Sequence, residues 1–203
     1  MTNELRHTPK LRLLSAFLAA AMALTMLPAA AFAADGIISD LSVAGTSVTA
    51  DNAADILGDG TAKYEGSVLT LSGEITVPQS KVGIMPIRSI TIDGKGTLTG
   101  TEKTGYGIFP QADKAEIAAG ADITLENFKH GSTAYGVDVS GTLTIRDVNY
   151  GVSGQGATVE SGGKLIIQNA DNAVSGGGAK VHGTLEIDEA GTAISDSGVT
   201  VHK

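Results

Sequence analysis

Apolar and polar positions alternate along most of this chain, and from residue 123 onward the alternation falls into rows. The rows open at Ile123-Thr-Leu125, Leu143-Thr-Ile145, Leu165-Ile-Ile167 and Leu185-Glu-Ile187, at nearly even intervals. Each row adds an apolar or small residue at Phe128, Val148, Ala170 or Ala190. Each then closes on an alternating pair: Val137/Val139, Ala157/Val159, Ala179/Val181 and Val199/Val201. Such alternation marks short strands with one buried face. Gly136, Gly156, Gly178 and Gly198 stand immediately before the closing pairs and read as corners.

Short strands and corners repeating about every 20 residues describe one rung of a parallel solenoid, in which like residues stack on like at roughly 4.8 Å. An antiparallel sandwich also has short strands and frequent turns, but it gives no reason for column identity. The predicted fold is therefore all-β: a right-handed parallel β-helix (solenoid) of about six rungs, with the hand taken from the general preference for right-handed crossovers.

The rungs begin at Leu69-Thr-Leu71 with Ile75-Thr-Val77 and continue at Ile90-Thr-Ile92 with Leu98. The interval from Ile90 to Ile123 is too long for one rung, so residues 101–115 are expected to leave the stack as an excursion within 67–203. Ala115-Glu-Ile117 resembles a closing pair and is expected to rejoin it. Residues 34–66 do not repeat. They read as a lead-in that caps the first rung, with strand pieces at Leu41–Val43 and Val48, a helical turn over 52–57 and a tight turn at Gly58-Asp-Gly60.

Residues 1–33 have the layout of a secretory signal peptide: Arg6, Lys10 and Arg12, then an apolar run from Leu13 to Leu27, then Ala31-Phe-Ala33 as a small-x-small cleavage site. The expected product is secreted, extracellular or associated with the cell surface, with no membrane insertion after cleavage. At the other end, Val201-His-Lys203 stands where a further row would be due. That position leads to the expectation of either self-association through an open last rung or a missing C-terminal extension.

Composition narrows the function. With 22 acidic against 14 basic residues and a net charge of −8, nucleic acid and anionic membranes are poor partners. The chain has no cysteine, which removes disulfides and cysteine-ligated metals. Asp55-Ile-Leu-Gly-Asp59-Gly60 fails as a calcium loop because Leu57 occupies the third position and Gly66 the twelfth. His182 and His202 hold equivalent positions in successive rows and are expected to stack at a corner as a solvated pair. No metal site and no cofactor are expected.

Two sets of residues are candidates for binding. Asn127, Asp147, Asn169 and Glu189 follow the opening strands in successive rows and should line up on one exposed edge. Tyr106, Phe109, Tyr135 and Tyr150 lie beside glycine or proline, outside the apolar columns. Aromatic faces flanked by polar groups suit sugar rings. An enzyme of this shape, a polysaccharide lyase or glycoside hydrolase, would draw on Asp147 with Asp188 or Glu189. No carboxylate pair has a separation fixed by its own spacing, so no catalytic residue is assigned.

The lead-in Leu41-Ser-Val-Ala-Gly-Thr-Ser-Val-Thr, Asn52-Ala-Ala-Asp-Ile-Leu-Gly-Asp-Gly, Tyr64 and Val68-Leu-Thr-Leu71, followed by glycine-punctuated rows, resembles secreted right-handed parallel β-helix proteins of Gram-positive bacteria. These are often labelled carbohydrate-binding-domain-containing proteins. The resemblance implies a bacterial, non-catalytic, adhesin-like surface module whose partner is a glycan or another cell-surface component. It transfers no catalytic residue. A structural rod assembling through its last rung is the remaining alternative.

Overall fold

The computed structural model describes residues 37–195 and 198–202, so the signal-peptide reading of residues 1–33 lies outside it. Among the described residues there are strands and turns and no helix. In chain order the strands are β1 (Ile37–Val43), β2 (Thr46–Thr49), β3 (Ala62–Glu65), β4 (Val68–Val77), β5 (Ile84–Pro86), β6 (Ile90–Gly100), β7 (Tyr106–Ile108), β8 (Ala115–Ile117), β9 (Asp122–Glu126), β10 (His130–Ser132), β11 (Val137–Val139), β12 (Thr142–Val152), β13 (Ala157–Val159), β14 (Lys164–Val174), β15 (Ala179–Val181), β16 (Thr184–Ile194) and β17 (Val199–Val201).

Three parallel ladders run the length of the molecule. The first joins the start of β6 to β8, β11, β13, β15 and β17. A second joins β4, the far half of β6, β9, β12, β14 and β16. The third joins β5, β7 and β10 to the last residues of β12, β14 and β16. The chain visits the ladders in rotation, which makes a parallel β-helix of about six turns.

Register follows the sequence columns. Leu143 lies opposite Ile123 and Leu165, and Leu165 opposite Leu185. Val137/Val139, Ala157/Val159 and Ala179/Val181 are paired in the same way. Inward positions of all three ladders meet on the axis, where Leu125, Ile145, Ile167, Val139, Val159 and Val152 are fully buried. Each such side chain removed from water contributes about 1.5–3 kcal/mol, so the columns supply the driving force for stacking. Gly156 holds a corner at φ +86°, with the Gly178 carbonyl oxygen 2.0 Å from where a β-carbon would lie. A side chain there would be both strained and excluded.

Antiparallel strands close the first turn. β1 and β2 form a hairpin around Gly45, β1 also runs antiparallel to β5, and β3 runs antiparallel to β4. Val48, Ile56 and Ala62 are buried beneath them. The helical turn expected over 52–57 is instead a run of hydrogen-bonded turns. The Asn52 side chain accepts from the Thr49 N–H at 2.7 Å and donates to the Ser47 carbonyl at 3.0 Å. Asp55 Oδ1 accepts from the N–H groups of Gly58 and Gly60, both at 3.0 Å. Asn and Asp side chains compete in this way for backbone groups that a helix would use.

The excursion expected over 101–115 is also corrected. Tyr106–Ile108 is a strand of the third ladder, in register with His130–Ser132. Ile90–Ile92 belongs to the first ladder, opposite Ala115–Ile117, so the turn from Ile90 to Ala115 stays in the stack and is longer than those that follow it. At the far end, β16 and β17 have no strand beyond them among the described residues. Val201 is 67% exposed, and an open apolar hollow of about 470 Å³ is lined by Leu185, Ile187, Ile194 and Val199.

Candidate functional site

The third ladder carries rings on its outer face. Tyr106, His130 and Tyr150 occupy the same position on consecutive turns. Strand spacing of about 4.8 Å is close to the separation at which aromatic rings stack, so identical outward positions on successive turns bring rings face to face. Tyr106 and His130 stack with centroids 5.2 Å apart and planes at 27°, and His130 and Tyr150 at 4.7 Å and 12°. Phe109 joins from the segment after β7, with its centroid 4.7 Å from that of Tyr106. The Phe109 N–H donates to the Ile84 carbonyl at 2.9 Å, which anchors the segment. All four rings are half-buried.

Glycine lies under the rings. Gly107, Gly131 and Gly151 follow Tyr106, His130 and Tyr150 and are themselves buried. A β-carbon on Gly131 would come within 2.3 Å of Ile145 Cγ2 and 2.8 Å of the Gly151 carbonyl oxygen. The backbone of the third ladder is thus drawn against the apolar side chains of the second, and the ring column stands on that contact.

His130 is uncharged at neutral pH: burial, and secondarily the charge on Lys129, push its pKa below the ordinary 6.5. Its Nδ1 lies 3.1 Å from Ser153 Oγ, whose own hydroxyl donates to the Ser132 carbonyl at 3.4 Å. The imidazole and the Ser153 hydroxyl are thus within hydrogen-bond distance across adjacent turns.

Asn127, Asp147, Asn169 and Glu189 line up on successive turns, just ahead of His130, Tyr150, Asn172 and Thr192. All four sit in the left-handed region, with φ of 60°, 56°, 48° and 51°. Asn127 Nδ2 donates to the Gly100 carbonyl at 2.7 Å, and Asn169 Nδ2 donates to Asp147 Oδ1. In the next column Asn149 Nδ2 donates to Asp171 Oδ2. Arg146 pairs with Glu126 at 2.9 Å. Side chains on this edge are therefore tied to one another across turns.

Of the residues singled out in the sequence, Tyr106, Phe109 and Tyr150 come together, with the left-handed column on their flank. Tyr135 does not join them. It is exposed at the corner between β10 and β11, in a different part of the turn. His130, Lys129, Asn149 and Asp171 belong to the site and were not among the expected residues. The signal for His130 lay in the same period, which places it one turn below Tyr150.

A second polar region lies near the cap. A shallow hollow of about 260 Å³ is lined by Ser67, Ser89, Asp113, Lys114, Glu116 and Asp138. Lys114 Nζ donates to Asp138 Oδ1 at 2.7 Å and to Thr158 Oγ1 at 2.9 Å. The Ser89 hydroxyl and the Lys114 N–H hold the Asp113 carboxyl below its usual range. His182 and His202 stack at their corner with centroids 4.4 Å apart. No group of three metal-ligating side chains converges among the described residues.

Comparison with protein-family models, with curated proteins and with solved structures gives no match. Function therefore rests on the geometry of the chain itself.

Proposed function

We propose that this protein is an exported, non-catalytic binding module of the cell surface or extracellular space, and that its ligand is a glycan. One observation carries the reading: four stacked rings run along a single edge, bordered by amide and carboxylate side chains at Asn149, Asp171, Asn127, Asp147 and Asn169. Sugar rings present both a C–H face and hydroxyls, and this edge offers aromatic carbon beside hydrogen-bonding groups on a rigid frame. The carboxylates of the catalytic alternative favour it less. Asp147 is engaged by Asn169 across the turns.

The full-length chain, exported and purified, is to be screened on a glycan array while the same samples are assayed for reducing ends and for unsaturated products. Saturable retention with no product is the expected result. Product release would replace the binding module with an enzyme, and an array with no retained glycan would remove the glycan reading.

A further inference from the structure

Stacking covers ring faces, and it covers them unequally here. His130 lies between Tyr106 and Tyr150 in register, so both its faces are occupied. Tyr106 has two ring neighbours, His130 and Phe109. Tyr150 has one among the described residues. On the following turn its register partner is Asn172, and on the turn after that Thr192. An asparagine amide overlies only the root of a stacked phenol, and threonine is shorter still. The column of rings therefore ends in a step at Tyr150, whose second face has no ring partner among the described residues and, on side-chain length, is left open beyond the reach of the shorter Asn172 side chain.

The charge around this step is one-sided. Once Glu126 and Arg146 are paired, the edge carries Asp147, Asp171, Asp188 and Glu189 against Lys129. Carboxylate or sulfate groups on a ligand would meet like charge here at short range. A neutral sugar meets hydrogen-bond acceptors at the same atoms.

We infer that the uncovered face of Tyr150 is the platform for one residue of an uncharged pyranose chain, which continues over Asn172 and Thr192. The sugar's C–H face lies on the phenol, and its hydroxyls reach the Asn172 amide and the paired Asn149 and Asp171 side chains. Phe109, Tyr106 and His130 hold the platform in place without touching the sugar. This rests on the glycan-binding reading and adds the ring, the face and the charge class.

The test uses the full-length chain with β-1,4-linked glucose and mannose hexaoses and, for contrast, a galacturonic acid hexaose. Tyr150→Ala should weaken binding of the neutral hexaose on the order of tenfold, matching an aromatic contact of about 1.4 kcal/mol. Tyr150→Phe should stay within about twofold of the wild type. Asn172→Arg leaves the ring in place but lays a guanidinium over its face, and it should weaken binding as much as Tyr150→Ala while the melting temperature is kept. Phe109→Ala should lower the melting temperature, while Tyr135→Ala, at a corner away from the ring column, should leave affinity within about twofold.

Undiminished binding by Asn172→Arg and Tyr150→Ala would overturn the platform while leaving a glycan-binding module intact. Tighter binding of the galacturonic acid hexaose than of either neutral hexaose would overturn the charge class. A wild-type chain that binds no hexaose and retains nothing on the array would remove the parent reading, and the platform with it.

Discussion

Glu189 shows most directly what a single position contributes to this fold. Asn127, Asp147 and Asn169 hold the left-handed corner with side chains that bond to neighbouring turns, and Asn and Asp tolerate this region better than other residues. Glu189 takes the same φ without such a bond among the described residues. Glu189→Asn should therefore raise stability by about 1 kcal/mol, read as a higher urea midpoint with an unchanged slope. His130 makes the opposite kind of contribution. Its pKa is lowered in the folded state, so the unfolded chain binds its proton more readily. Stability from this group is fully present above about pH 6.5 and declines as pH falls below that value, toward the lowered folded pKa. Urea midpoints should drop between about pH 7.5 and 5.5 in the wild type and drop less in His130→Phe. The carboxyls of Asp59, Glu65 and Asp113 are held low by their hydrogen bonds to Thr61, Lys63 and Ser89, so their contributions are present above the ordinary carboxylate range and are lost as pH falls from that range toward their lowered folded values.

Among the elements, the second and first ladders were the most legible in the sequence. Leu143, Leu165 and Leu185 recur because a parallel stack sets each turn on its predecessor, and identity down a column is what that geometry rewards. The third ladder was harder to see. Its early strands are short, and Ser132 stands among the apolar residues Ile108, Val152, Val174 and Ile194 of its inward column. Tyr106-Gly-Ile108, His130-Gly-Ser132 and Tyr150-Gly-Val152 share a pattern of ring, glycine and inward residue, which would have placed Tyr106–Ile108 in the stack. The long turn hid it. Extra residues at the corners around 101–105 and 111–114 stretch that turn and break the period. Gly131 shows how tightly the third ladder is held. Gly131→Ala must push Ile145 or the Gly151 carbonyl aside, and should cost about 2 kcal/mol. Equilibrium denaturation would register the loss, and a variant as stable as the wild type would contradict the close approach of the two ladders.

For the molecule as a whole, the antiparallel cap and the parallel stack together form a rigid scaffold with few aromatic residues to spare. The chain has 4 tyrosines, 4 phenylalanines and no tryptophan, yet Tyr106, Tyr150 and Phe109 gather on one edge with His130. Core formation does not require them there, since the interior is filled by Ile, Leu, Val and Ala, with Phe128 the single aromatic among its described buried residues. The ring edge itself was not legible in the rows, because a repeat encodes stacking and the ring column reads as one more repeat until the register is known.

Tyrosine emission offers the most direct test, because the chain has no tryptophan to mask it. In a Tyr64→Phe, Tyr135→Phe background the only remaining tyrosines are Tyr106 and Tyr150. Titration with a neutral hexaose should give a saturable change in their emission, with the same midpoint as binding measured by calorimetry, and the change should vanish in Tyr150→Phe while calorimetric binding persists. Calorimetric binding with no change in tyrosine emission would place the ligand elsewhere on the molecule and contradict the ring edge as the site.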